Sequence, residues 1–136
     1  MSGERFEVSY GGEGGAKQYD WVANESMSHR YVGSYSIVKA CGDVTGKSAL
    51  DCACGNGAYL HKMLSLGAAK ATGVDMSEHN LKIASDSLLA AGFSTDNFAT
   101  LQADLTQPVA YPGGPHDLVL MNFAVCYSND LSLIHI

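Results

Sequence analysis

The stretch Leu50–Tyr59, "LDCACGNGAY", holds two kinds of chemistry in the same few residues. Cys52 and Cys54 carry thiols, which bind metals or close disulfides, whereas Gly55 and Gly57 let backbone turn sharply and approach a ligand closely. A carboxylate, Asp51, stands immediately before them. The choice between a thiol site and a nucleotide loop rests on what surrounds the stretch.

The thiol reading is the weaker one. Cys41, Cys52, Cys54 and Cys126 are even in number, but Cys52 and Cys54 are one residue apart, not the about two to four of zinc knuckles. No second Cys or His pair stands at finger spacing, and His29, His61, His79 and His116 are scattered. The N-terminus, "MSGERFEVSYGGEGG", lacks the basic start and apolar core of an export signal, so reduced thiols are expected. They read as small buried fillers, and no metal is expected.

Composition narrows the partners. At 136 residues the chain is one domain at most, with a modest core. It is 46% hydrophobic and 16% charged, less charged than the roughly one quarter of an average soluble protein. Eight basic residues against 14 acidic ones give a net charge of −6, which opposes an extended grip on a phosphate backbone, so nucleic acid is not the expected partner. No apolar run approaches the about 18 residues of a membrane span, and the cytoplasm is the default location.

The elements that must position the loop are legible in the pattern. "SYGGEGG" at residues 9–15 has no apolar period, and residues 1–15 read as a mobile arm. From Gln18 to Ala40, Tyr19, Val22, Tyr31, Tyr35, Ile37 and Val38 fit one or two helices, and Gly42 and Gly46 mark a turn. Strand and helix then alternate. "SALDCA" is a short strand; Ala58 to Leu66 follows as a helix with Leu60, Met63, Leu64 and Leu66 at helical spacing, closed by Gly67. "KATGVD" is a second strand, and Ser77 caps a helix carrying Leu81, Ile83, Leu88 and Leu89 to a stop at Gly92. "FATLQAD" makes a third strand and "HDLVLMNFAV" a fourth, whose long apolar run is of the kind buried on both faces. Repeated βα units of this kind imply an α/β fold with a parallel sheet.

A glycine loop between a strand and the helix that follows it suits a negative or nucleotide group at the helix start. The dinucleotide fingerprint requires a third glycine at position 60, where Leu60 stands. What stands at the strand end instead is a carboxylate, Asp51. "ALDCACGNGAYL" resembles the first motif of class I S-adenosylmethionine-dependent methyltransferases, in which an acidic residue precedes a loop of small residues. The resemblance extends from about Tyr19 to Asp130, and its strength lies in the order and spacing of four elements.

The resemblance implies a Rossmann-like, doubly wound, mostly parallel sheet, of which about four of seven strands are present, with an N-terminal helical lid. It implies that Asp75 in "GVDMSEHN" takes the ribose hydroxyls, with Met76 beside it, and that Asp104 in "QADLTQP" meets the adenine amino group, with Leu105 against the ring. Ala53, Cys54, Gly55 and Gly57 form the cofactor loop, and Asn122 ends the fourth strand. Ala53 stands where many relatives carry glycine, which is tolerable at negative φ. Tyr19 and Arg30 are candidates to close over the cofactor, Arg30 pairing with its carboxylate.

Plainer readings stand beside these. Asp51 orders the loop, reaches the methionine ammonium through a water, or caps nearby amides; Asp75 is otherwise a helix cap; Asp104 is otherwise a loop turn before Thr106 and Pro108; Arg30 is otherwise a surface charge. The expected activity is methyl transfer from S-adenosylmethionine to a small-molecule acceptor, with no catalytic base assigned. An NAD-dependent oxidoreductase and a non-catalytic cofactor-binding module are the alternatives.

The final six residues, "LSLIHI", match one reading frame of a transposase sequencing adapter, CTGTCTCTTATACACATC. The expected division is an arm at residues 1–15, a partial methyltransferase domain at 16–130 and an adapter-derived tail at 131–136.

Overall fold

The computed structural model describes residues 32–122. The chain divides into two compact units, Met1–Gly42 and Asp43–Ile136. The expected arm, Tyr19, Arg30, Cys126 and the last six residues all lie outside the described residues.

In the first unit, helix α1 spans Ser34–Cys41 and ends at Gly42, whose φ of 64° takes the chain out of the helix. None of its residues is fully buried, and Lys39 Nζ stands 5.9 Å from the centre of the exposed Tyr35 ring. Such an exposed cation–π contact adds only about 0.5–1 kcal/mol.

The second unit alternates strand and helix: β1 (Ser48–Cys52), α2 (Ala58–Ser65), β2 (Lys70–Asp75), α3 (Glu78–Ala90), β3 (Phe98–Gln102) and β4 (Leu118–Leu120). All pairings are parallel, in the order β3-β2-β1-β4. β1 and β2 are central and buried along nearly their whole length, as continuous apolar runs in a covered parallel sheet should be. The register sets Cys52 opposite Val74, Asp75 opposite Gln102 and Asp51 opposite Leu120. The carboxyl ends of the strands are therefore level.

Successive strand residues face opposite sides of the sheet. On one side Leu60 and Leu64 of α2 and Leu81 and Leu88 of α3 pack with Cys54, Ala71 and Phe98. On the other, Leu50, Cys52 and Val74 are wholly buried beneath Leu101, Leu105, Tyr111 and Val119. Each fully buried leucine or valine contributes about 1.5–3 kcal/mol. Gly73 lets α2 sit close on β2, since a Cβ there would stand 2.5 Å from Leu60 Cδ1 and 2.7 Å from Cys54 Sγ.

Helix ends follow the expected signals. Ser77 Oγ accepts from Asn80 N at 3.3 Å to cap α3, while Gly67 and Gly92, both at positive φ, follow α2 and α3. Two leucines depart from expectation: Leu66 and Leu89 are exposed. Leu66 falls beyond the last turn of α2 as its C-cap, and Leu89 is rotated about 100° from buried Leu88. The fourth strand also differs. Its described part is three residues, only Leu120 of which is buried, because β4 is flanked by a strand on one side alone among the described residues.

No helix among the described residues is long and apolar enough to cross a membrane.

Candidate functional site

β1 runs out at Cys52, and the chain must turn within five residues to start α2 at Ala58. It does so with three left-handed residues, Ala53 (φ 61°), Gly55 (φ 54°) and Gly57 (φ 81°). Ala53 corrects the sequence expectation of negative φ. Left-handed backbone costs a residue with a Cβ about 1–2 kcal/mol, and glycine gives back part of that through its freer unfolded chain. Ala53→Gly is therefore expected to stabilise the protein by about 0.5–1 kcal/mol in thermal unfolding.

The loop is held from below by backbone and from beside by a carboxylate. Cys54 N donates to Val74 O at 2.9 Å, Gly55 N to Asp75 Oδ2 at 2.8 Å and Gly57 N to Cys54 O at 3.0 Å. Asn56 Oδ1 accepts from Ala58 N at 3.3 Å, in the first turn of α2. Gly57 also touches α3: a Cβ there would stand 2.6 Å from the Ala84 Cβ. Leu60, at the place of the absent third glycine, is a buried core residue.

Two carboxylates lie under this loop. Asp75 is 9% exposed, and its Oδ1 accepts from Ser77 N at 2.9 Å while Oδ2 holds Gly55. Burial raises its pKa, and the amides of Ser77, Gly55 and Met76 oppose that rise. Asp51 is more deeply placed, 3% exposed, and its Oδ2 has no hydrogen-bond partner. Burial, with the nearby Asp75, pushes Asp51 up to about 8. The same burial and the Asp51 charge raise Cys52 to about 11, and Cys54 rises further for the same reasons. Cys52 and Cys54 are free thiols, and no group of His, Cys, Asp and Glu among the described residues is arranged to hold a metal.

The remaining residues stand along the same edge of the sheet. Met76 is half exposed, and its carbonyl accepts from Gln102 Nε2 at 3.1 Å, which ties the end of β2 to the end of β3. Asp104 Oδ1 accepts from both Thr106 N at 2.9 Å and Thr106 Oγ1 at 2.8 Å, the arrangement of a loop turn. Leu105 packs partly buried against the core beneath β1 and β2. Asn122 Nδ2 donates to Tyr59 Oη at 3.2 Å, joining the chain after β4 to the first turn of α2.

Sequence reading had not singled out Gln102, Tyr59, Gly73 or Ala84. Gly73 had a signal, because an isolated glycine inside a strand marks close approach of a neighbour. The other three act through partners far along the chain and had none.

Residues 49–134 match a family described as a methyltransferase domain. An uncharacterized protein of Haemophilus influenzae is 28% identical over 117 residues, which cover 83% of this chain and 46% of that protein. Among solved structures, an S-adenosylmethionine-dependent methyltransferase from Mesorhizobium loti is 24% identical with a TM-score of 0.61, over 72% of this chain and 42% of its own. A protein from Methanococcus maripaludis, described in the same terms, is 21% identical with a TM-score of 0.70, over 88% and 54%. The chain thus spans about half the length of these proteins.

Proposed function

Because the chain belongs to the methyltransferase-domain family, we propose that it binds S-adenosylmethionine over the carboxyl ends of β1 and β2 and serves methyl transfer to a small-molecule acceptor. The observation that carries this is Asp75, a buried carboxylate at the end of β2 bonded to both the glycine loop and the start of α3. Ligands of open parallel sheets bind beyond the carboxyl ends of the strands, where the strand order reverses. Here the chain passes from β1 to β2 and β3, then returns to place β4 on the other side of β1.

The residues present fit that cofactor. Asp75 Oδ2 accepts from the Gly55 amide and Oδ1 from that of Ser77, and the acceptor positions left on the carboxylate suit vicinal ribose hydroxyls. Half-exposed Met76 and partly buried Leu105 offer apolar surface to an adenine ring. Asp104 has Oδ1 committed to Thr106, so a contact to the adenine amino group falls to Oδ2. Asp51 Oδ2 is a buried acceptor in need of a donor. Tyr19 and Arg30, candidates from the sequence for closing over the cofactor, lie outside the described residues.

Bound there, S-adenosylmethionine supplies a methyl group on a positively charged sulfur. What the chain contributes is orientation: an in-line displacement is accelerated chiefly by alignment, and a base matters only where the acceptor keeps a proton. The net charge of −6 supports a small acceptor over nucleic acid.

Calorimetry with S-adenosylhomocysteine and with NAD tests the cofactor, and binding of the first alone is expected. Binding of NAD alone would refute it. The acceptor class is tested by incubation with methyl-labelled cofactor and a cell extract; label confined to RNA or protein excludes the small-molecule reading.

A further inference from the structure

Asp51 is an acid placed where an anion is costly. Its side chain is buried, Oδ2 meets no donor, and the charge that acts on it is that of another carboxylate, Asp75. The titratable groups around it are Asp75 from β2 and the Cys54 thiol from the loop, while Cys52, the next residue of β1, lies on the opposite side of the sheet and feels its charge. From β4's side Asp117 bonds Ser48 at the opposite end of β1, and His61 and Lys62 of α2 are exposed. Among the described residues no lysine or arginine pairs with Asp51 or Asp75. An isolated buried carboxylate escapes its desolvation cost by taking a proton.

We propose that this site exchanges a proton for a cation: Asp51 is neutral in the free protein and ionises when the ammonium group of an amino-acid ligand seats against it. The inference rests on the cofactor reading above and adds the charge logic of the same site. A pKa of about 8 in the free protein keeps the carboxyl protonated at neutral pH. An ammonium brought to Oδ2 supplies both the missing donor and the missing positive charge, so the proton leaves to solvent. A ligand with the nucleoside but without the ammonium leaves Asp51 neutral. The site thereby favours nucleosides that carry an amino-acid tail.

Titration calorimetry of the whole chain in buffers of different ionisation enthalpy counts the proton. S-adenosylhomocysteine is expected to release about one proton at pH 7 and none at pH 9, with affinity rising roughly tenfold per pH unit between about pH 6 and 8. Methylthioadenosine, which lacks the amino-acid end, is expected to bind without release. In Asp51→Asn the release and the pH trend should both vanish. A ligand-free readout accompanies this: thermal stability of the wild type should fall from pH 4 to 8, because the native state holds a proton that the unfolded state has lost, and Asp51→Asn should fall less, keeping only the part due to Asp75. Binding of S-adenosylhomocysteine without proton release at pH 7, equal release with methylthioadenosine, or release that survives in Asp51→Asn overturns the exchange alone. Absence of binding at every pH overturns the cofactor reading and the exchange with it.

Discussion

Asp75→Ala is expected to weaken S-adenosylhomocysteine binding by about a hundredfold or more, equivalent to about 2.7 kcal/mol. The side chain does two jobs at once. It accepts from Gly55 N at 2.8 Å and from Ser77 N at 2.9 Å, so it fixes both the loop and the start of α3. Hydrogen bonds to a charged acceptor are worth about 1.5–3 kcal/mol each, and the buried Gly55 amide would be left without a partner. The unliganded protein should therefore also lose about 2–4 kcal/mol of stability. Asp75→Asn separates the two jobs, because its single carbonyl oxygen can keep one amide but not accept two hydroxyls in addition. It should recover part of the stability while remaining weak in binding. Affinity within threefold of wild type in a folded Asp75→Asn protein would remove Asp75 from the ribose contact.

The second large effect comes from a residue with no functional group. Gly57→Ala is expected to destabilise the protein by about 3 kcal/mol, from left-handed strain of about 1–2 kcal/mol and an overpacking cost of about 1–3 kcal/mol. The overpacking is specific: the new Cβ would stand 2.6 Å from Ala84 Cβ and 3.2 Å from Ala84 Cα, in a helix already packed on β2 and β3. Ala84→Gly alone should cost about 1 kcal/mol as a helix-interior glycine. Combined with Gly57→Ala it should recover the overpacking part, giving a coupling of about 1–2 kcal/mol between the two sites. Strictly additive unfolding energies would show that close approach to α3 is not the reason for glycine at this position.

These two residues differ in how they were legible. Asp75 was read from a carboxylate at the end of the apolar run "KATGVD", and β2 ends there. Gly57 was read as part of a loop, but its closeness to Ala84 was not, since Ala84 lies 27 positions further along, beyond α2 and β2. The same division holds elsewhere. Local signals located Ser77 as the cap of α3 and Gly67 and Gly92 behind their helices, because capping is settled within one turn. The left-handed Ala53 was misread because alternation of apolar residues reports burial and not φ. Gln102 and Tyr59 were invisible because their partners, Met76 just past β2 and Asn122 just past β4, are distant in the sequence. Asp104 was read two ways, and its bond to Thr106 is the local one.

The span of chain that closes the loop has a further consequence for the order of events. The Gly55–Asp75 bond joins residues 20 apart, whereas the tie between Ser48 and Asp117 at the other edge of the sheet joins residues 69 apart. Closing a chain segment costs entropy that grows with its length, and contacts near in sequence form sooner. As the polypeptide leaves the ribosome, β1, α2 and β2 can draw the glycine loop onto Asp75 while β4 has yet to be made. The cradle is thus a property of one βαβ unit, and the strands that widen the sheet are added to a loop that is already shaped.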